Sequence, residues 1–466
     1  MKNEWFQNVI DSIADRGREL LGLDSDAARG KSLHVLCLQL LAGQGEASGI
    51  ALSQEILRIY SVANDAEKLH FFQMLAQEFD PNLDQLQTAM SRYLDTRSAE
   101  DLIALNAAVE APRQELFRRL NMAPNGTASL VSLRADLLAM LKVYPGLRSV
   151  EFDLKHLLNS WFNRGFLQLR SIDWTSPAHI LEKLINYESV HEIQGWEDLR
   201  RRMMQDRRCF AFFHPAMPDE PLIFIEVAFV QGLSSEIGSL LDPAAPELDP
   251  KQADTAIFYS INNTQSGLRG ISFGNFLVKQ VLIELSKEFP SVKMLATLSP
   301  IPSFGSAVRQ WLQTNGQQPQ NIQFDEILLR HSALLREIGA PQSQDGTTPD
   351  KEILKTVLEH PLDARNEGLA TILGELALAY LTQPDEHEKL SDPVAMFHLS
   401  NGARLERLNA YANLSEQGVS TSYGMMANYR YDLKDVESNH EAFVARGVVM
   451  LSDALKKKAR QFTREK

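Results

Sequence analysis

The hydrophobic period changes once along this chain of 466 residues, and that change decides the architecture. From "WFQNVIDSIADRGRELLGL" onward, apolar residues recur at three- and four-residue spacing, the stripe of an amphipathic helix. "EKLHFFQMLAQEF", "LDQLQTAMSRYL", "ELFRRLNM" and "SLVSLRADLLAMLKVY" repeat the pattern. Turn residues at Asp80–Asn82, Ala123–Gly126 and Pro145–Gly146 punctuate it. No β-rich run occurs before about Phe166, so residues 1–159 are predicted to form an all-α bundle. Beyond "LKHLLNSWFNRGFLQLRSIDW" come short β-rich runs, "RCFAFFH", "PLIFIEVAFV", "TAIFYSIN" and "KMLATLS", with helical patterns between and after them. That alternation predicts an α/β or α+β domain over residues 160–466. The fold class is α+β: a helical bundle followed by a sheet domain.

Composition narrows the function. The 44% hydrophobic and 23% charged content is that of a globular protein, and no apolar run is long enough to span a membrane. A net charge of -13 argues against general nucleic-acid binding, which needs a basic surface. It leaves room for a small anion in a local positive pocket. Two cysteines, Cys37 and Cys209, support neither a disulfide framework nor a multi-cysteine zinc site, and point to a reducing cytoplasm. The opening "MKNEWFQNVIDSIADRG" lacks the apolar core of a secretory leader, and the final "REK" is not a peroxisomal address.

Four motifs bear on chemistry. "KMLATLSPIPSFG" starts as a strand and meets Pro300 and Pro302 directly after Ser299. Proline lacks the N–H of a ladder and fixes φ, so Ser299 is predicted at a strand's C-terminal end, with the chain turning rigidly away. Such an end either simply closes a strand or faces a ligand. "TAIFYSINNTQSGLRGISFGNFLVKQVLIEL" reads as a strand, a loop with Gly267, Gly270 and Gly274, and an amphipathic helix. Free N–H groups and the positive dipole end of such a helix bind phosphate. Arg269 and Lys279 could add charge. The loop is neither a Walker A nor a dinucleotide G-x-G-x-x-G, and it is physically closest to the pyrophosphate loop of acetyl-CoA-dependent acyltransferases. A plain strand-to-helix turn is the other reading. "DPVAMFHLSNGARLERLN" places His398 in a β-like run before a turn, as a packed side chain or a proton donor. "SYGMMANYRYDL" interleaves tyrosines with Asn428 and Arg430, as an aromatic corner or as part of a site. No H-E-x-x-H and no G-x-S-x-G is present, which disfavours a zinc protease and an α/β-hydrolase.

Taken together these segments resemble the malonyl-CoA decarboxylase family. The resemblance rests on "AIFYSINNTQSGLRGISFGNFLVKQV", "FP" followed by "LSPIPSF", "DPVAMFHLSNGA" and "MANYRY", with "LKHLLNSWFNRGFL" and "EPLIFIEVAF", and it covers the chain from about Leu154 to its end. It implies a helical domain joined to a catalytic domain of the GNAT acetyltransferase fold. The implied reaction splits malonyl-CoA into acetyl-CoA and CO2 without metal or biotin. The family's catalytic serine falls on Ser299 and its histidine on His398, and Tyr431 matches a tyrosine associated with the site. The CoA-phosphate loop falls on Arg269, Gly270, Ile271, Ser272, Phe273, Gly274 and Asn275. Animal members carry a glutamate where Ser272 stands and end in a peroxisomal signal, so this chain is similar to cytoplasmic, bacterial-type members. The resemblance further implies a homo-oligomer, a dimer or tetramer assembled through the helical domain.

The chemistry assigns roles to these residues. Decarboxylation leaves electrons on the thioester oxygen as an enolate, which needs stabilising, and a proton must then reach C2. Ser299 engages the malonyl carboxylate or relays its proton, His398 protonates the enolate, and the glycine loop holds the pyrophosphate. Two other readings share the loop: a GNAT-fold acyltransferase with an amine acceptor, and a non-catalytic CoA-binding protein. Release of CO2 from malonyl-CoA without any acceptor sets the decarboxylase apart from the acyltransferase, and CoA binding without turnover marks the binding protein.

Overall fold

The computed structural model describes residues 12–13, 16, 32–43, 45–271, 277–313, 322–339, 348–359, 365–383 and 390–461. The chain divides into two compact units. One comprises Met1–Gln168, Phe213–Leu222 and Asn263–Gly274; the other comprises Leu169–Phe212, Ile223–Asn262 and Asn275–Lys466.

The opening "WFQNVIDSIADRGRELLGL" lies almost wholly outside the described residues; after it the first unit is built on helices, as the period predicts: α1 (Leu33–Leu41), α2 (Glu46–Val62), α3 (Asp65–Gln77), α4 (Leu83–Thr96), α5 (Ala99–Val109), α6 (Pro112–Leu120), α7 (Gly126–Met140) and α8 (Arg148–Trp161). Several of their starts are set by short polar side chains that take up orphan N–H groups: Ser32 accepts from Val35, Asn82 from Gln85 and Ser98 from Asp101. Asn64 and Glu67 satisfy each other's backbones in a capping box. Ile56, Phe71, Phe72, Leu116, Phe117 and Leu154 form part of the buried core. The hairpin of α4 and α5 differs from the rest. Helix α4 buries none of its residues and α5 buries only Asp101.

Among the described residues eight strands make one sheet: β1 (Gln168–Ile172), β2 (Arg207–His214), β3 (Met217–Val230), β4 (Thr255–Asn263), β5 (Met294–Thr297), β6 (Ser299–Pro300), β7 (Arg404–Asn409) and β8 (Met426–Tyr431). Their order is β1-β2-β3-β4-β5-β8-β6, with β7 also paired to β8. Strands β4 and β5 are parallel, joined through α9 (Leu277–Glu288), the crossover that parallel pairing demands. Strand β8 runs antiparallel to β5, β6 and β7. The remaining helices used below are α10 (Phe304–Gln313), α11 (Glu367–Thr382), α12 (Pro393–Ser400) and α13 (Val436–Arg446).

Two local expectations are corrected. The chain does not turn away at Ser299. Leu295 pairs with Tyr431 and, four residues on, Ser299 pairs with Ala427, so β6 resumes the line of β5 in the same register. Pro300 is tolerated because β6 ends the strand order, where a missing donor breaks no central ladder. Nor does His398 lie in a β-like run. It sits on α12, which Asp392 caps and Pro393 opens at its first position. Eight residues are too few to display a helical period, so the Asp-Pro start is the stronger signal. The turn that follows needs glycine: Gly402 has φ +81°, and a Cβ there would stand 2.0 Å from the Val436 carbonyl oxygen.

Candidate active site

Ser299 and His398 lie 99 residues apart in sequence, yet their side chains meet: Ser299 Oγ is 2.9 Å from His398 Nε2. On the other side of the ring, His398 Nδ1 is 2.9 Å from the Tyr431 hydroxyl. All three side chains are buried. The Tyr429 ring stacks on the imidazole, with centroids 4.6 Å apart and planes at 25°. Strand alternation explains the pair of tyrosines, since residues 429 and 431 point to one face of β8.

A third hydroxyl joins the row. Ser299 Oγ donates to Thr297 Oγ1 at 2.9 Å. Thr297 Oγ1 also accepts the backbone N–H of Tyr429 at 3.1 Å, and the Thr297 carbonyl accepts Asn428 Nδ2 at 2.7 Å. Side chains thus bridge β5 and β8 at the point where the strand pairing is interrupted. The result fixes Thr297, and through it Ser299, without relying on a loop. Asn428 is itself held by Asn409 and Arg407 through its Oδ1.

Burial sets the electrostatics. It pushes the His398 imidazole down to about 3, so the ring is neutral at pH 7. It pushes the Tyr431 hydroxyl up, which keeps the phenol protonated. The pair therefore carries no charge before a ligand enters.

The glycine loop is described up to Ile271; Ser272, Phe273, Gly274 and Asn275 lie outside the described residues. Within the first unit, the buried Arg134 of α7 donates through Nη1 to the carbonyls of Gly267 (2.5 Å) and Arg269 (3.0 Å), and through Nη2 to Glu151 (2.6 Å). Gly267 packs so closely on α7 that a Cβ would fall 1.8 Å from the Val131 carbonyl oxygen. Gly270 has φ +74° and is exposed, as is Arg269, while Ile271 is buried. The Lys155 amine of α8 lies beside Gly270, 3.6 Å from where a Cβ would be. Lys279 is placed differently from expectation, since its amine pairs with Glu437.

Sequence reasoning missed Thr297, Asp392, Arg134 and Lys155. Thr297 was findable, because it stands two residues before Ser299 and so shares its face of the strand. Arg134 and Lys155 reach the loop only through helix packing, for which the local sequence holds no sign. Among the described residues no group of three His, Cys, Asp or Glu side chains could hold a metal ion, and no helix is long and apolar enough to cross a membrane. Cys37 and Cys209 are buried and free.

Comparison with known proteins bears on what this geometry is for. Residues 165–466 match the model of the malonyl-CoA decarboxylase C-terminal domain, and residues 79–162 match that of its N-terminal domain. The chain is 33% identical to a mitochondrial malonyl-CoA decarboxylase of Anser anser anser, over 98% of this chain and 92% of that one. A solved malonyl-CoA decarboxylase from Rhodopseudomonas palustris superposes with TM-score 0.81 at 44% identity, covering 91% of this chain and 98% of that one. One from Agrobacterium vitis gives TM-score 0.78 at 44% identity, covering 92% and 99%. This chain belongs to the malonyl-CoA decarboxylase family.

Proposed function

We propose that the chain, a carbon–carbon lyase of the carboxy-lyase class, converts malonyl-CoA to acetyl-CoA and CO2 through Ser299 and His398. The observation that carries this reading is the 2.9 Å contact between those two side chains, buried together in a member of this family.

The buried Tyr431 phenol has one proton to give. Donated as a hydrogen bond to Nδ1, it leaves the ring's own proton on Nε2, facing Ser299. The Ser299 hydroxyl then points at Thr297 and is free to swing to an arriving carboxylate. A malonyl carboxylate brings negative charge next to the imidazole. That charge offsets the desolvation that keeps the ring neutral, so the ring takes up one proton from solvent at Nδ1, and the Tyr431 hydroxyl turns to accept from the new N–H. The bond between C2 and the carboxyl carbon then breaks. CO2 leaves, its bonding electrons pass into the thioester as an enolate, and the imidazolium returns its proton to C2. One proton is consumed per turnover, and the ring ends neutral. No covalent seryl intermediate is required, and neither metal nor biotin enters the scheme.

Arg269, Gly270, Ile271, Ser272, Phe273, Gly274 and Asn275 hold the CoA phosphates in this reading. The exposed Arg269 and the adjacent Lys155 amine support it, as two cations beside a glycine turn. The boundary between helical and GNAT-type domains falls at 159/160. The helical domain self-associates into a dimer or tetramer, supported by the exposed Leu83, Met90, Leu94, Leu102, Ile103 and Val109 on α4 and α5. Two buried free thiols support a reducing, cytoplasmic setting.

The test is to supply malonyl-CoA with no acyl acceptor and follow CO2 and acetyl-CoA together. Equimolar release supports decarboxylation. Turnover only when an amine is added supports an acyltransferase, and CoA binding without turnover supports a binding protein.

A further inference from the structure

The Ser299–His398 distance depends on two separate pieces of chain, and one buried carboxylate holds both. Asp392 is 1% exposed. Its Oδ1 accepts the N–H groups of Val394 (3.0 Å) and Ala395 (2.9 Å), which start α12, the helix that carries His398. Its Oδ2 accepts the N–H of Ser303 at 3.3 Å. Ser303 closes the segment Ser299-Pro-Ile-Pro-Ser and precedes α10, whose Ala307 N–H bonds back to the Ser303 carbonyl. Two helix N-termini thus converge on a single side chain. Each supplies N–H groups and a positive dipole end, which favour a carboxylate there. The two prolines and the fully buried Ile301 leave the five residues from Ser299 to Ser303 little freedom. A shift at Ser303 is therefore passed to Ser299, and a shift at the start of α12 is passed to His398.

We propose that Asp392 is a positioning residue, which sets the reach of Ser299 to His398 by clamping the Ser303 amide to the start of α12. It touches neither reacting atom. The proposal rests on the Ser299–His398 reading above and adds to it the part that fixes their spacing.

The two halves of the clamp can be separated. Asp392→Asn keeps an Oδ1 to cap α12 but turns an NH2 donor toward the Ser303 N–H. Asp392→Ser, also a favourable cap, keeps α12 started but falls short of Ser303. Each full-length variant is assayed for kcat and KM with malonyl-CoA and for thermal unfolding. Each is also made in a Ser299→Ala background. A displacement of this kind is expected to lower kcat by about 10- to 100-fold with KM unchanged. In the Ser299→Ala background, the same substitutions should lower kcat no further. An unchanged kcat with only a lower unfolding temperature would reduce Asp392 to a helix cap. An equal loss of kcat with and without Ser299 would show that it acts elsewhere. Either result overturns the proposal. Should Ser299→Ala alone turn over malonyl-CoA at the wild-type rate, the underlying reading fails instead, so the two failures are told apart. If Asp392→Asn fails to fold, Asp392→Ser still decides.

Discussion

The surroundings of His398 and the glycine loop around Arg269 use opposite physics. At His398 everything is buried, uncharged at rest and hydrogen-bonded in series: Tyr431, His398, Ser299, Thr297, then the Tyr429 amide. At the loop the exposed Arg269 and the adjacent Lys155 are cationic, and the buried partner, Arg134, holds backbone carbonyls. The first arrangement suits a step in which charge develops and must meet fixed groups in a dry site. The second suits an anion that arrives already charged and keeps part of its hydration. A chemical step and a binding step therefore call for different substitutions to disable them.

The comparison is broken most sharply at the imidazole. His398→Ala should lower kcat by roughly 10²- to 10⁴-fold, the range of general acid–base catalysis, while CoA binding by calorimetry stays near wild type. A matched loss of CoA affinity would place His398 in binding rather than chemistry.

Acidity gives the next test. The folded imidazole lies at about 3, below its unfolded value of about 6.5, so between these the unfolded chain binds the extra proton. Stability should therefore rise with pH through that window and gain nothing more from this group above it. Denaturant titrations of His398→Leu should show a shallower slope between pH 6.5 and 3 than wild type. In the free enzyme the same depression removes any His398 inflection near pH 6.5 from kcat/KM. A fall in kcat/KM setting in above about pH 6.5 that disappears with His398 would mean that the ring titrates normally.

At the loop, Gly267→Ala pushes a methyl group into the Val131 carbonyl. It should cost about 1–3 kcal/mol of stability and raise KM for malonyl-CoA more than it lowers kcat. The smallest effect is expected of Lys155→Ala. Its half-exposed amine should be worth at most about fivefold in KM, fading as salt is added. If the same loss is seen with malonyl-pantetheine, which lacks the phosphates, Lys155 is not a phosphate contact.

The sequence foretold the helical unit well because its breaks carry their own chemistry. Asn82 caps α4, and Pro145 with Gly146 separates α7 from α8. The strands β2 to β5 were legible as β-rich runs. What escaped was the part fixed by tertiary contact. Helix α12 was misread because its eight residues offer apolar character without a period. The resumption at Ser299–Pro300 depends on β8, some 126 residues further on, and no local pattern announces it. Ser299, His398 and Tyr431 were named through the family resemblance. Thr297 is legible beside Ser299 on one strand face, whereas the hold of Asp392 on Ser303 emerges only when segments 89 residues apart are brought together.

The central claim is that Ser299 and His398 carry out the breaking of the bond to CO2 and the return of a proton to C2. Single-turnover quench of Ser299→Ala, with enzyme in excess over malonyl-CoA, tests it most directly. The account predicts bound, unreacted malonyl-CoA, with acetyl-CoA formation slowed at least about 10²-fold. Acetyl-CoA appearing at the wild-type rate would contradict it.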